Sequence, residues 1–149
     1  MTQDAQKKDS GSGTNDASDT AVKARVLLLD DDKFLVGMYG MKFTAGGFQV
    51  QTCLSVSEAL GALRTGFAAD AIVFDLIMPE QDGFAFLEAL RAEHLVPDAV
   101  RIALTNQSND AEKARADGFG VDRYIIKATM IPSEVVNVVS EEIAKKKKV

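Results

Sequence analysis

Five short apolar runs, each leading into a segment of helical pattern, constrain this 149-residue chain more than any other feature. They are Arg25 to Leu29, Phe48 to Cys53, Ala71 to Asp75, Val100 to Leu104 and Asp122 to Ile126. Short runs of this kind bounded by turn formers read as strands, and the near-continuous ones as strands covered on both faces. Helical patterns fill the intervals. Lys33 to Ala45 is closed by Gly46-Gly47, and Ser55 to about Arg64 opens on the capping-box pattern Ser55-Val56-Ser57-Glu58. Gly83 to about His94, about Asn109 to Asp117 with Gly118 closing it, and Pro132 to about Ala144 complete the set. Leu35, Met38 and Phe43 are the expected core contacts of the first helix, Phe84, Leu87 and Leu90 of the third, and Val135, Val136, Val139 and Ile143 of the last. Strands alternating with helices specify a parallel sheet with helices on both faces, since parallel neighbours need a crossover. Right-handed, short crossovers leave a doubly wound α/β sheet of five strands as the expected fold.

The residues that follow these runs are not what a buried strand should end on. Strand one runs into Asp30-Asp31-Asp32, strand three ends on Asp75, strand four leads to Thr105 and strand five to Lys127. In a parallel sheet these ends share one edge, and open α/β sheets bind ligands where the strand order reverses. In the flavodoxin-like order 2-1-3-4-5, strands one and three flank that crevice, so Asp30 and Asp31 would face Asp75. Clustered carboxylates repel and raise one another's pKa; protonation, a cationic side chain or a bound cation can relieve them. Lys127 alone cannot balance three. Oxygen ligands with no nearby His or Cys favour Mg2+ or Mn2+ over zinc or copper. A cation beside Asp75 can neutralise an incoming phosphoryl group while the carboxylate attacks it, giving an aspartyl phosphate. Lys127 and Thr105 could then hold phosphoryl oxygens.

Val26 to Asp32, Phe74 to Gly83 (Phe-Asp-Leu-Ile-Met-Pro-Glu-Gln-Asp-Gly), Leu104-Thr105 and Tyr124 to Lys127 resemble, in order, the motifs of the receiver domain of two-component response regulators. The spacings agree as well: 44 residues from Asp31 to Asp75, 30 on to Thr105 and 22 on to Lys127. The resemblance covers about residue 24 to about 144. It implies Mg2+ held by Asp30, Asp31, Asp75 and the backbone carbonyl of Ile77, with Asp75 the phosphoacceptor. It implies that Thr105 is a switch hydroxyl drawn toward the phosphoryl group. Tyr124 would be the aromatic whose rotamer carries that movement to the face of the fourth helix, fifth strand and fifth helix. The donor would be a phosphohistidine on a sensor histidine kinase or a histidine phosphotransfer protein. Output would come from docking a downstream protein on that face, or from homodimerisation. Such a stand-alone, chemotaxis-receiver-like chain is not an enzyme in the usual sense, because it catalyses only its own phosphorylation and dephosphorylation.

Four departures from the family pattern surround the site, one of them Gln107, two residues past Thr105. Ala128 follows Lys127 where the family usually has Pro, leaving the Lys127–Ala128 peptide trans or, at a cost of about 3–4 kcal/mol, cis. Asn106 replaces the usual small residue after Thr105. Ile77 sets a branched apolar side chain beside the site, with the expectation that it hinders the attacking water and prolongs the phosphorylated form. The competing expectation is a degenerate receiver, in which Asp75 is only a buried ion-pair partner of Lys127 and the chain is a phosphorylation-independent protein-binding module.

The remaining features bound function by exclusion. Lys plus Arg is 17 and Asp plus Glu is 22, a net charge of −5 that argues against direct nucleic-acid binding. No apolar run approaches the roughly 20 residues of a membrane span, and no apolar leader follows Met1. The single cysteine, Cys53, excludes an internal disulfide and suits a reducing compartment, so the expected location is cytoplasmic. Residues 1–22 hold almost no large apolar side chain and are expected to be a disordered tail ahead of a 23–144 receiver domain. Residues 145–149 are expected to be a basic tail, solvated or tethering, whose lysines complement the last helix's dipole. Asp32 is expected to start a helix, His94 to sit at an exposed helix end, and Cys53 to act as a small buried apolar residue.

Overall fold

A computed structural model of the protein describes residues 22–106 and 109–147. Strands β1 Arg25–Leu29, β2 Gln49–Cys53, β3 Ala71–Asp75, β4 Val100–Thr105 and β5 Arg123–Ile126 form one parallel sheet in the order 2-1-3-4-5. The helices are α1 Lys33–Ala45, α2 Val56–Arg64, α3 Gly83–Glu93, α4 Asp110–Gly118 and α5 Pro132–Lys147, with a short 3-10 turn at Lys127–Thr129 after β5. The α/β doubly wound fold expected from the sequence is the fold observed.

Alternation along the strands divides the interior into two layers. Leu27, Leu29, Ile72, Phe74 and Ala103 pack with α2 and α3 on one face, where Phe74 and Phe86 meet edge-to-face at 5.9 Å. Val26, Leu28, Val73, Ile102, Leu104 and Ile125 pack with Phe43 of α1 and Val135, Val139 and Ile143 of α5 on the other. The register is pinned at the strand starts by two aspartates. Asp70 accepts the backbone N–H of Arg25, and Asp122 that of Arg101, each at 2.8 Å. At the other ends, Leu29 lies opposite Phe74, Asp75 opposite Leu104 and Thr105 opposite Ile126. The polar residues that follow therefore finish level along a single edge.

The helix starts behave as their sequences dictate. Asp32 caps α1 by accepting from the N–H groups of Phe34 and Leu35, which is the helix-start role expected of it. Ser55 accepts from Glu58 N–H, while the Glu58 carboxylate reaches back to Leu54 N–H at 2.8 Å, one residue before the cap. His94 ends α3 in the left-handed conformation (φ 54°) and is exposed, and Cys53 is buried.

Three local expectations need correction. The buried stripe of α1 is Val36, Tyr39, Gly40 and Phe43, while Leu35 and Met38 are only half-buried. This helix is apolar around much of its circumference, with Phe34 and Met41 exposed, so its pattern did not mark one side. Its packing is set by Gly40, where a Cβ would stand 3.2 Å from Thr52 Cγ2 on β2. Gly118 is the last residue of α4; the left-handed turn comes two residues later at Gly120 (φ 80°). The last helix runs on to Lys147, so Lys145–Lys147 are helical and not a tail. The expected N-terminal tail lies outside the described residues up to position 21, as do Gln107, Lys148 and Val149.

Candidate functional site

The strand ends deliver Asp30, Asp75 and Lys127 to one place, and Thr105 ends β4 on the same edge of the sheet. Asp30 follows β1, is buried, and is oriented by Asp32, whose N–H donates to Asp30 Oδ1 at 2.9 Å. Asp75 closes β3 and is buried; its Oδ1 accepts the backbone N–H of Ile77 at 3.1 Å. Lys127, at the start of the 3-10 turn, sends its Nζ between them, 2.7 Å from Asp30 Oδ2 and 3.1 Å from Asp75 Oδ2. Asp31 is exposed at the mouth. The Lys127–Ala128 peptide, left open by the sequence, is trans like every peptide bond among the described residues.

Burial drives the electrostatics. It raises the Asp75 carboxyl above the ordinary carboxylate range; the Lys127 charge and the Ile77 N–H work against this, and Asp30 adds to it. For Lys127, burial alone would lower the pKa. The hydrogen bond and charge of Asp30, then those of Asp75, outweigh it and hold the ammonium above its usual value. The lysine is thus firmly charged, yet one positive charge faces three carboxylates.

Asp30, Asp31 and Asp75 each bring a carboxylate oxygen to within 4.8 Å of the other two. An all-oxygen set of this size, open to solvent on the Asp31 side, fits a hard divalent cation that keeps part of its water. Soft-ligand metals have no partner in the cluster, and Cys53 is no substitute, since burial pushes its thiol up to about 11.

Thr105 is buried at the end of β4, one residue beyond the partner of Asp75. Tyr124 lies opposite Ala103 on β5 and packs with the same layer, so it shares a sheet face with Thr105, two residues on from Ala103. Its hydroxyl is buried without a hydrogen-bond partner of good geometry among the described residues, although the Asn109 backbone lies near it. Asn106 is exposed just past Thr105, and Ile77 is 56% exposed beside Asp75. Asp31 also lines a cleft of about 260 Å³ between the start of α2 and the loop from Met78 to Gln81.

Two residues of the site escaped the sequence reading. Gly83 is read there only as the start of the third helix and the end of a motif, but a Cβ at this position would stand 2.5 Å from the Asp75 carbonyl oxygen and 2.9 Å from Leu76 Cα. Its N–H also donates to Leu76 O at 2.9 Å, so α3 starts directly against the end of β3. Tyr39 of α1 is buried near the cluster; burial raises its phenol, which also feels the charges of Lys127 and Asp30. The signal for Gly83 was present in the Asp82-Gly83 pair, whereas Tyr39 was hidden by the misplaced stripe of α1.

Fold and site together define a doubly wound protein with an acidic, lysine-bridged pocket at its switch point. The sequence profile of the response regulator receiver domain matches residues 26–139, and the chain belongs to that family. Among its relatives, the transcriptional regulatory protein PrrA of Mycobacterium leprae is 34% identical over 122 residues, 80% of this chain and 51% of that protein. The transcriptional activator protein PfeR of Pseudomonas aeruginosa is 37% identical over 106 residues, 69% of this chain and 32% of that protein. The chain spans about half the length of the first of these relatives and a third of the second. Solved structures share the fold. A CheY-like receiver domain protein from Methanospirillum hungatei has a TM-score of 0.76 at 23% identity, covering 84% of this chain and 97% of that one. The Francisella response regulator 1452 receiver domain has a TM-score of 0.69 at 28% identity, covering 80% and 98%. The protein is thus a two-component signalling receiver, and no helix among the described residues is long and apolar enough to cross a membrane.

Proposed function

We propose that this receiver is a Mg2+-dependent phosphoacceptor switch in which Asp75 takes a phosphoryl group from a phosphohistidine donor. The observation that carries this reading is the Lys127 ammonium spanning Asp30 and Asp75 beside the exposed Asp31, a buried site still short of positive charge. Asp30, Asp31, Asp75 and the Ile77 carbonyl would hold the cation, which when bound supplies neutralising charge for phosphoryl oxygens. Asp75 Oδ attacks phosphorus, the donor imidazole leaves, and Lys127 then moves its hydrogen bonds from the carboxylates to the phosphoryl oxygens. The Thr105 hydroxyl turns toward the new phosphate, and Tyr124 follows into the space vacated. A buried Tyr124 hydroxyl with no hydrogen-bond partner of good geometry among the described residues suits such a switch.

The donor is a sensor histidine kinase or a histidine phosphotransfer protein. The exposed apolar Phe34, Ile77 and Ile131 lie on segments that follow the site-bearing strand ends, which supports docking of the donor there. The output face is that of α4, β5 and α5, and it docks a downstream protein or a second copy. Incubation with acetyl phosphate and Mg2+ tests the proposal by intact mass. A gain of about 80 Da, one PO3 group, that needs Mg2+ and is absent from Asp75→Asn supports it. No adduct on the folded wild-type chain would leave the phosphorylation-independent binding module in its place.

A further inference from the structure

The edge of the sheet remote from Asp75 carries a second concave site. A cavity of about 320 Å³ opens between the last turns of α3 and α5, the start of β4 and the Phe119-Gly120 turn after α4. Leu87 and Leu90 are buried at its base and Phe119 lines it. Its polar lining is cationic: Arg91, Arg101 and Lys146, with His94 beside them.

These cations are held in place. The Arg91 guanidinium lies 4.8 Å from the Phe119 ring centroid. Arg101 donates to Val96 O at 3.2 Å and Ala99 O at 2.8 Å, and Lys146 Nζ to Ala99 O at 3.3 Å. Asp122 is the carboxylate that faces them, 3.7 Å from Lys146 Nζ. Three fixed cations against one carboxylate leave the cavity positive in a chain of net charge −5. Complementing helix C-termini accounts for a basic residue in the last turn of α3 or α5. It does not account for Arg101, on a strand, turning a half-buried guanidinium to the same apolar hollow.

We infer that this cavity binds a small anion with an apolar, ring-sized body, the chemistry presented by a nucleotide or an aromatic acid. The volume falls at the low end of small-ligand pockets, which run from about 300 to 1,000 Å³ and join an apolar lining to a few convergent polar groups. Arginine suits the anionic end because its planar fork matches phosphate and carboxylate oxygens. The site is distinct from the phosphoryl site, since Arg101 and Thr105 stand at opposite ends of β4, roughly 13 Å apart along the strand.

The test is an amide NMR titration of the nitrogen-labelled full chain. Adenosine monophosphate and naphthoate are the probes, beside their uncharged counterparts adenosine and naphthalenemethanol. At least one anion gives saturable shifts centred on His94, Phe119 and Gly120, and which one distinguishes a nucleotide from an aromatic acid. The uncharged counterpart binds about tenfold or more weaker, as does the anion to an Arg91→Gln, Lys146→Gln double variant. Lys146→Gln alone serves if the double variant does not fold. Lys113→Gln, outside the cavity, and Asp75→Asn bind as wild type. Shifts from neither anion, equal binding of the uncharged compounds, or full affinity in the variants with these cations removed would each overturn the inference.

Discussion

Lys127 and Asp30, 97 positions apart in the chain, are joined by a 2.7 Å hydrogen bond between groups that are about nine-tenths buried. Asp75 is the second acceptor of the same ammonium. The arrangement sets one ammonium between two buried carboxylates while leaving room for more positive charge. A bound divalent cation would do electrostatic work that overlaps the lysine's, which makes the two contributions separable by measurement. Removing one partner of a buried pair costs about 3–5 kcal/mol because the other charge is left unmatched. Lys127→Ala is therefore expected to lose about 3 kcal/mol in chelator by urea unfolding. Added Mg2+ is expected to raise the unfolding midpoint of the variant more than that of wild type.

Gly83 gives the second expectation. Its missing Cβ is what lets α3 start against the Asp75 carbonyl. Gly83→Ala must shift β3 or α3, and a loss of about 2–4 kcal/mol is expected, the range of a forced backbone clash in a packed interior. Gly61 is the internal control: it lies inside α2 and a Cβ there meets nothing within 4 Å. Gly61→Ala is expected to gain about 0.5–1 kcal/mol in the same unfolding assay.

Cys53 supplies a pH dependence. Burial, with the Glu58 charge adding to it, raises the thiol from 9.0 to about 11. The folded pKa lies above the unfolded one, so this stability is fully present below pH 9 and is lost as pH rises through 11. Two units correspond to about 2–3 kcal/mol at most. Tyr39 and Lys127 are raised too and act in the same direction. Cys53→Ala is expected to show a smaller fall in unfolding free energy between pH 8 and pH 11 than wild type. Equal falls would remove the thiol from the account.

Ile77 is expected to govern the lifetime of the phosphorylated form rather than phosphorylation itself. Its side chain is more than half exposed while its N–H is fixed on Asp75, so a branched apolar group stands beside the acceptor carboxylate, where it is expected to hinder a hydrolytic water. Ile77→Asn gives that water a hydrogen-bond partner, and the phosphorylated half-life is expected to shorten by a factor on the order of 10. A longer half-life in the variant would show that Ile77 does not obstruct the water.

The fold was legible because its signals were redundant. Near-continuous apolar runs, the Ser55 capping box and the Gly46-Gly47 stop all pointed to one βα alternation, and the strand bounds moved by at most a residue. The Asp30, Asp75 and Lys127 cluster was legible because a parallel sheet gathers its strand ends on one edge. The stripe of α1 was not legible, since a helix apolar on most sides carries no phase. Gly83's role was not either: close approach of two backbones is a tertiary fact that an Asp-Gly pair only hints at. The cationic cavity draws Arg91, Arg101 and Lys146 from three elements, and no local spacing links them.

Asp75, among three neighbouring aspartates, is the proposed nucleophile. Reduction with borohydride after acetyl phosphate and Mg2+ converts an aspartyl phosphate to homoserine and marks the residue that carried it. Peptide mass spectrometry is expected to find homoserine at position 75 alone, and none when Mg2+ is chelated. Homoserine at position 30 or 31 with Asp75 unmodified would contradict the account.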